Sequence, residues 1–78
     1  MNIKIKYCKP CRYWGQGLKD AQELFVNHGK DIETIAFVAG DNGIYEVFVD
    51  DQRIFSNQVT NRFPEEGELN RLMTEAQR

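Results

Sequence analysis

The sequence lacks any long apolar run. No stretch of its 78 residues approaches the roughly 20 consecutive apolar residues that a membrane-spanning helix needs. The first six residues alternate between apolar and polar or charged side chains, where a signal peptide would carry an unbroken apolar segment. These absences predict a soluble, cytoplasmic protein that is not exported and has no membrane partner.

An excess of basic charge is also missing. The chain carries 10 Lys and Arg against 12 Asp and Glu, for a net charge of −2, which excludes the clustered basic surface that a nucleic-acid partner requires. The distribution is uneven, however, because residues 1–19 sum to +5 and residues 20–78 sum to −7. Both cysteines lie in the basic segment, where positive charge favours thiolates.

Cysteine, proline and histidine are scarce, with 2 Cys, 2 Pro and 1 His in the chain. Because export is not predicted, the two cysteines are interpreted as a redox or metal-binding pair rather than as the staple of a secreted domain. Apolar residues make up 41% and charged residues 28%, a balance typical of a folded globular protein. The length predicts a single domain over residues 1–78.

The first part of the chain predicts a strand followed by a helix. Apolar side chains alternate with lysines over residues 3–7, which is the period of a strand with one buried face. From about Cys11 to His28, apolar residues recur at helical spacing and are expected to form the buried face: Trp14, Leu18, Ala21 and Phe25, with Leu24 beside them. Trp14 is expected to be half-buried, and Tyr13 to be the more exposed of the two and a candidate for substrate contact.

Three further strands and a second helix follow. Residues 35–38 and 44–49 predict strands separated by a Gly-rich turn, and residues 53–56 predict a short hairpin partner. Pro64 suits the first position of a helix whose apolar residues again have helical spacing. In the third strand, Glu46 and Phe48 are expected to face outward, with Glu46 near Lys4 or Lys6, because a buried unpaired carboxylate costs several kcal/mol.

The order β-α-β-β-β-α predicts an α/β fold, a thioredoxin-like two-layer sandwich. Strands one and two should be parallel with a right-handed crossover, and the later strands antiparallel, which makes a mixed four-stranded sheet. Both helices are expected on one face. The other face would then be open, with Phe48 exposed on it, and is predicted as a surface for homodimer formation.

The pair Cys8 and Cys11 carries the predicted chemistry. Two intervening residues allow the sulfurs to close a small disulfide ring, or to reopen it, with little movement of the backbone. A helix N-terminus next to Lys9 and Arg12 favours the thiolate, and Pro10 stiffens the turn. The pattern predicts Cys8 and Cys11 as the catalytic residues of thiol–disulfide chemistry, without a cofactor or a metal.

Half of a zinc site, or an incidental pair of cysteines, are the alternatives. A closed zinc site takes four nitrogen or sulfur ligands, and the chain offers only Cys8, Cys11 and His28. Zinc would therefore have to bridge a dimer or recruit carboxylates. His28 is instead expected at the polar end of the first helix, where a cation suits the last turn.

Several segments resemble the selenoprotein W, T and H family of small thioredoxin-like redox proteins. The resemblance extends over residues 3–76 and rests on segments that occur in the same order: Ile5–Cys8 leading into the Cys pair, Gly43–Val47 followed by Val49 and Asp50, Ile54–Ser56, and Arg62–Glu65. Members that contain selenocysteine place it at the second position of the pair. The resemblance thus implies Cys11 as the reactive thiol and Cys8 as its resolving partner. In thioredoxins the first cysteine attacks, so both remain candidates.

The chain differs from thioredoxins just before the strand at Ile44, where it lacks the proline that thioredoxins hold against their cysteine pair. A substrate clamp would instead be built from the backbone of Asp41, Asn42 and Gly43. The predicted function is a thiol–disulfide redox protein that acts on a thiol or disulfide substrate, either glutathione or a client protein. The alternative is a redox-sensing interaction module without enzymatic activity, and the third hypothesis is the zinc-bridged dimer.

Overall fold

The computed structural model describes residues 1–77 and contains four strands and three α-helices. In chain order they are β1 (Asn2–Cys8), α1 (Trp14–His28), β2 (Thr34–Gly40), β3 (Tyr45–Val49), β4 (Gln52–Ser56), α2 (Asn57–Thr60) and α3 (Glu68–Ala76). A short 3₁₀ turn at Gly29–Asp31 follows α1. Within residues 1–77, no helix has the length and apolar character needed to cross a membrane.

The sheet has the order β2-β1-β3-β4. Strands β1 and β2 are parallel and keep one register over seven residue pairs, from Asn2 with Thr34 to Cys8 with Gly40. The β1–β3 and β3–β4 pairs are antiparallel. This mixed four-stranded sheet confirms the predicted thioredoxin-like fold.

One buried cluster joins the sheet to α1 and α3. It contains Ile3 and Ile5 of β1, Leu24 of α1, and Leu69 and Met73 of α3, all of them 2% exposed or less. Since both helices contribute to the same cluster as the inward side chains of β1, they cover the same face of the sheet, as predicted.

Both long helices begin later than the sequence predicts. Arg12 has a φ of 63°, in the left-handed region, so the backbone cannot be helical from Cys11 and α1 begins at Trp14. Gly67 has a φ of 80° and precedes Glu68, so α3 starts four residues after Pro64. The one-turn helix α2 was not predicted, and the Ser56 side chain caps it by accepting a hydrogen bond from the Gln58 amide.

The buried face of α1 differs from the predicted one. Ala21 and Leu24 are buried as predicted, but Trp14, Leu18 and Phe25 are exposed, and Gly17 and Asp20 complete the buried face instead. Gly17 explains the difference, since a Cβ atom there would lie 3.0 Å from Cε1 of Phe37. The helix therefore approaches the sheet along its smallest residues, and the larger apolar side chains are left on its flank.

The side chains of β3 point to the predicted faces of the sheet, but the partners of Glu46 differ from the predicted ones. Tyr45, Val47 and Val49 are buried against the helices, which leaves Glu46 and Phe48 on the open face. Glu46 is itself buried. Its carboxylate accepts hydrogen bonds from Arg53 at 3.2 Å and Ser56 at 2.8 Å, both on β4, and not from Lys4 or Lys6.

Phe48 was predicted to be exposed and is half-buried instead. The Lys4 ammonium lies 4.6 Å from the centroid of its ring, a cation–π geometry. The long side chain of Lys4 thus covers the aromatic surface that the alternation pattern had placed in solvent.

Candidate active site

The two cysteines form a disulfide in the turn between β1 and α1. The sulfurs are 2.03 Å apart and the Cα atoms 5.2 Å apart. Cys8 is the last residue of β1 and is completely buried, whereas Cys11 is exposed. A molecule approaching from solvent therefore meets the sulfur of Cys11 first.

Main-chain hydrogen bonds hold this turn in place. The Lys9 amide donates to the Gly40 carbonyl at 3.0 Å and so extends the pairing of β1 with β2 beyond Cys8. The Arg12 amide donates to the carbonyl of Lys9 at 3.0 Å, and the Tyr13 amide to that of Cys8 at 3.1 Å. The backbone of the turn is thus fixed by bonds that do not involve the sulfur atoms.

One main-chain amide donates a hydrogen bond to a cysteine sulfur. The Cys11 amide donates to Sγ of Cys8 at 3.3 Å. A donor in this position stabilises negative charge on Cys8 more than it stabilises the neutral thiol. Lys9 and Arg12 are exposed on the same turn and add positive charge around both sulfurs.

Only part of the predicted substrate clamp, residues 41–43, lies next to the cysteine turn. A groove of about 530 Å³ contains Lys9 and Pro10 on one side and Asp41 on another. Its complete lining is Lys6, Lys9, Pro10, Ala39, Gly40, Asp41 and Ile44, which does not include Asn42 or Gly43. Asn42 and Gly43 both have positive φ, at 55° and 75°, and form the tight turn that leads to β3.

Asn57 fixes this second turn and was missed in the sequence. Its Nδ2 donates to the Gly43 carbonyl at 2.6 Å, and its Oδ1 accepts from the Tyr45 amide at 2.8 Å. Only the unpredicted helix α2 brings Asn57 to this position, so no spacing in the chain points to the contact. The position of an asparagine directly after a strand does not by itself indicate such a contact.

An aromatic stack connects the cysteine turn to the core. The Tyr13 ring meets Phe63 edge-on at 4.8 Å between centroids, and Phe63 meets Tyr45 in the same way at 5.3 Å. Tyr13 is half-buried, whereas Trp14 is exposed, so the predicted order of their exposure was wrong. The reason is that Tyr13 precedes α1, where helical phase no longer determines its direction.

A buried carboxylate lies beneath this stack. Asp20 accepts a hydrogen bond from the Tyr45 hydroxyl at 2.5 Å and another from Gln16 Nε2 at 3.1 Å. Burial raises the pKa of Asp20 above its ordinary value, and these two hydrogen bonds oppose that rise. Burial, followed by the hydrogen bond to Asp20, raises the pKa of Tyr45 as well.

His28 is distant from the cysteines. It lies in the last turn of α1 and contacts Asn70 of α3, with about 21 Å of helix between it and Trp14 at 1.5 Å per residue. Within residues 1–77, no group of three or more His, Cys, Asp or Glu side chains is gathered to hold a metal ion.

Comparisons with known proteins identify similar sequences and folds. The model of the Rdx family matches residues 2–75. A crystal structure of a Bordetella parapertussis protein has a TM-score of 0.91 and 27% identity, and the alignment covers 96% of this chain and 95% of the other. A selenoprotein W-related protein of Vibrio cholerae has a TM-score of 0.90 and 25% identity, over 96% and 94%. No curated protein matches.

Proposed function

Because this chain belongs to the Rdx family, which is related to selenoproteins W, T and H, we propose that it is a thiol–disulfide exchange protein. Its redox-active groups are Cys8 and Cys11, which are joined as a disulfide in the turn before α1. The single observation that carries the proposal is the unequal exposure of the two cysteines, since Cys8 is 0% exposed and Cys11 is an exposed residue.

The exchange begins at Cys11. A thiolate of a substrate dithiol attacks the Cys11 sulfur, the Cys8–Cys11 bond breaks, and Cys8 leaves as a thiolate. The second substrate thiol, which a second molecule supplies when the substrate is a monothiol such as glutathione, loses its proton and attacks the substrate sulfur of the mixed disulfide, which releases Cys11. The substrate is oxidised by two electrons, the protein disulfide is reduced, and the two protons of the substrate end on the protein thiols. The reverse sequence reduces a disulfide substrate.

The hydrogen bond from the Cys11 amide supports this division of roles. It meets Cys8 at 3.3 Å and stabilises the thiolate that must leave. A thiol leaves faster when its pKa is lower, so this donor accelerates opening of the ring by attack at Cys11. The opposite assignment would require a substrate to reach a sulfur that the fold covers.

The substrate class is a thiol or disulfide of the size of glutathione, or an exposed cysteine of a client protein. The groove of about 530 Å³ beside the turn supports a small anionic substrate, because Lys6 and Lys9 line it. The attraction of these lysines for carboxylates is an electrostatic contribution that salt weakens.

The experiment compares Cys8→Ser with Cys11→Ser, each reduced and then mixed with oxidised glutathione. We expect Cys8→Ser to form a stable mixed disulfide at Cys11, visible by mass spectrometry of the intact protein. Cys11→Ser should react much more slowly, because its remaining thiol is buried. Faster trapping by Cys11→Ser, with both variants folded by circular dichroism, would reverse the assignment.

A redox sensor without turnover is the second candidate. The exposed Trp14, which directly follows the cysteine turn, favours it because a partner protein could contact the turn and the indole together. A coupled assay with a disulfide substrate separates the two. An exchange enzyme consumes many substrate equivalents per protein molecule, whereas a sensor stops after one.

We also propose that the protein works in the cytoplasm. The two cysteines of the chain are bonded to each other in a reactive position, so none is left for a separate structural disulfide of the kind that secreted domains use. Fractionation of cells that express the untagged protein tests this proposal, and recovery with secreted material would contradict it.

A further inference from the structure

The two edges of the sheet are protected to different degrees. Edge strand β4 contains Arg53 and has an irregular register with β3 between Val47 and Phe48. Edge strand β2 has the sequence TIAFVAG, with no charged residue and no proline, and pairs with β1 without a bulge over its full length. Charge, proline and bulges are the devices that prevent an edge strand from pairing with another chain. Strand β2 has none of them.

Apolar side chains flank this unprotected edge. Phe37 lies at the middle of β2, points toward α1 and packs over Gly17. The flank of α1 beside Gly17 therefore faces the β2 side of the sheet. Four large side chains on this flank are partly exposed: Trp14 at 43%, Leu18 at 59%, Phe25 at 51% and Phe37 at 40%. They expose together about 400 Å² of apolar surface, if each whole side chain counts for about 150–250 Å².

This area suits a second copy of the chain. A standard interface buries about 800 Å² on each partner, so the apolar flank supplies about half, and the pairing of two seven-residue strands adds further area. The largest apolar patch of a typical monomer covers about 300–600 Å² and is often a binding surface, and this patch lies within that range.

The charges at the ends of β2 favour an antiparallel pair. The start of the strand follows Asp31 and Glu33, whose charges are balanced by Lys30 and by the Met1 ammonium, which lies 3.9 Å from the Glu33 carboxylate. Its end lies beside the cysteine turn, where Lys9 and Arg12 outweigh Asp41 and the Lys9 amide bonds to Gly40. A two-fold axis near Phe37 brings the basic end of each strand to the neutral end of the other, and so keeps the two basic ends apart. A parallel arrangement would place like charges together.

We propose that two copies of this chain pair antiparallel along β2 and form a continuous eight-stranded sheet. The interface is isologous, with the two Phe37 rings near the axis and the Trp14, Leu18 and Phe25 side chains of both copies around them. It uses the edge of the sheet and not the open face predicted from the sequence. The proposal is independent of the redox function.

Sedimentation velocity over a range from micromolar to millimolar protein tests the dimer. We expect the wild type to shift from monomer to dimer as its concentration rises. Leu18→Lys and Val38→Lys should each weaken association at least ten-fold, because one places charge on the apolar flank and the other on the edge strand. Val26→Lys is the matched control, since Val26 is 77% exposed and lies off the apolar flank, about 100° around the axis of α1 from Phe25.

Phe48→Ser distinguishes the edge from the open face, where Phe48 lies under Lys4. It should leave association unchanged. Hydrogen exchange supplies an independent measurement, because outward amides of β2 should gain protection as concentration rises. A wild type that stays monomeric, or a dimer that Leu18→Lys and Val38→Lys leave intact while both are folded, would overturn the proposal. Binding of an extended client peptide by a protein that stays monomeric would overturn it equally.

Discussion

The hydroxyl of Tyr45 donates a hydrogen bond to the carboxylate of Asp20, and both side chains are buried between β3 and α1. The Asp20 carboxylate is the hydrogen-bond partner of the buried Tyr45 hydroxyl, and it also accepts from Gln16 Nε2. Since Tyr45 also contacts Phe63, and Phe63 contacts Tyr13, this bond anchors the aromatic stack that reaches the cysteine turn.

Tyr45→Phe should lower the free energy of unfolding by about 1–3 kcal/mol, because Asp20 loses the hydroxyl donor at 2.5 Å while it remains buried. Urea denaturation monitored by circular dichroism measures the change. Tyr7→Phe is the control, since the Tyr7 hydroxyl makes no protein hydrogen bond within residues 1–77. Equal losses in the two variants would mean that the Asp20 contact contributes nothing beyond packing.

Asp20 also predicts a pH dependence of stability. Its pKa is raised in the folded protein by burial, so the folded state holds a proton that the unfolded state releases above pH 3.8. Its contribution to stability is therefore present at low pH and is lost as pH rises through the folded pKa. We expect the stability of wild type minus that of Asp20→Asn to fall as pH rises from about 4. A difference that rises instead would show the pKa to be lowered.

Glu68 predicts the opposite slope. Arg62 donates to both of its carboxylate oxygens, at 2.6 and 2.9 Å, and the Glu65 amide adds a third bond at 2.9 Å. The hydrogen bonds from Arg62 are the main cause that lowers the pKa of Glu68 to about 2, from an ordinary value of 4.5. This contribution is complete above pH 4.5 and is lost as pH falls toward 2.

Glu68→Gln should abolish that part of the acid sensitivity. We expect the denaturation midpoint of the wild type to approach that of Glu68→Gln between pH 4.5 and pH 2. Glu66→Gln serves as the control, because Glu66 is exposed beside the same helix. If wild type and Glu68→Gln have the same acid profile, the Arg62–Glu68 pair does not contribute to the pH dependence of stability.

The charges around the cysteine turn predict a change in thiol reactivity. Lys9→Glu combined with Arg12→Glu should slow alkylation of the reduced protein several-fold at neutral pH, because acidic neighbours raise the pKa of a thiol. Lys19→Glu with Lys30→Glu changes the net charge equally at positions outside the turn and is the matched control. If both pairs slow alkylation alike, the effect belongs to net charge and not to the turn.

Val47→Ala should cost about 1–3 kcal/mol of stability, because Val47 is completely buried between the sheet and the helices. Val59→Ala is the control at a valine that is 70% exposed, and it should change the free energy of unfolding by no more than about 0.5 kcal/mol. Equal effects at the two positions would contradict the orientation of β3.

Periodicity predicted the architecture well wherever one face of an element is uniform. The alternation of β1 and the single acid in β3 were enough to orient both strands, because a charge on the wrong face would be costly. The cysteine spacing likewise predicted the disulfide between Cys8 and Cys11.

The errors arose where a small residue or an unusual backbone angle decides the packing. The apolar side chains of α1 predicted the buried face correctly at Ala21 and Leu24 but wrongly at Trp14, Leu18 and Phe25, because the close approach at Gly17 counts for more than the size of its neighbours. The helix start moved from Cys11 to Trp14 because Arg12 adopts a positive φ that no pattern of side chains reveals. Asn57 was missed because its contacts with Gly43 and Tyr45 are long-range.

The backbone of the cysteine turn is held through Gly40, Lys9 and Cys8 by amide–carbonyl bonds, and none of them passes through sulfur. Reduction therefore removes a covalent link without removing the scaffold around it. The oxidised and reduced proteins should present nearly the same outline to a partner. A partner that distinguishes them must touch the Cys11 sulfur itself, because the rest of the surface should be nearly the same in both redox states.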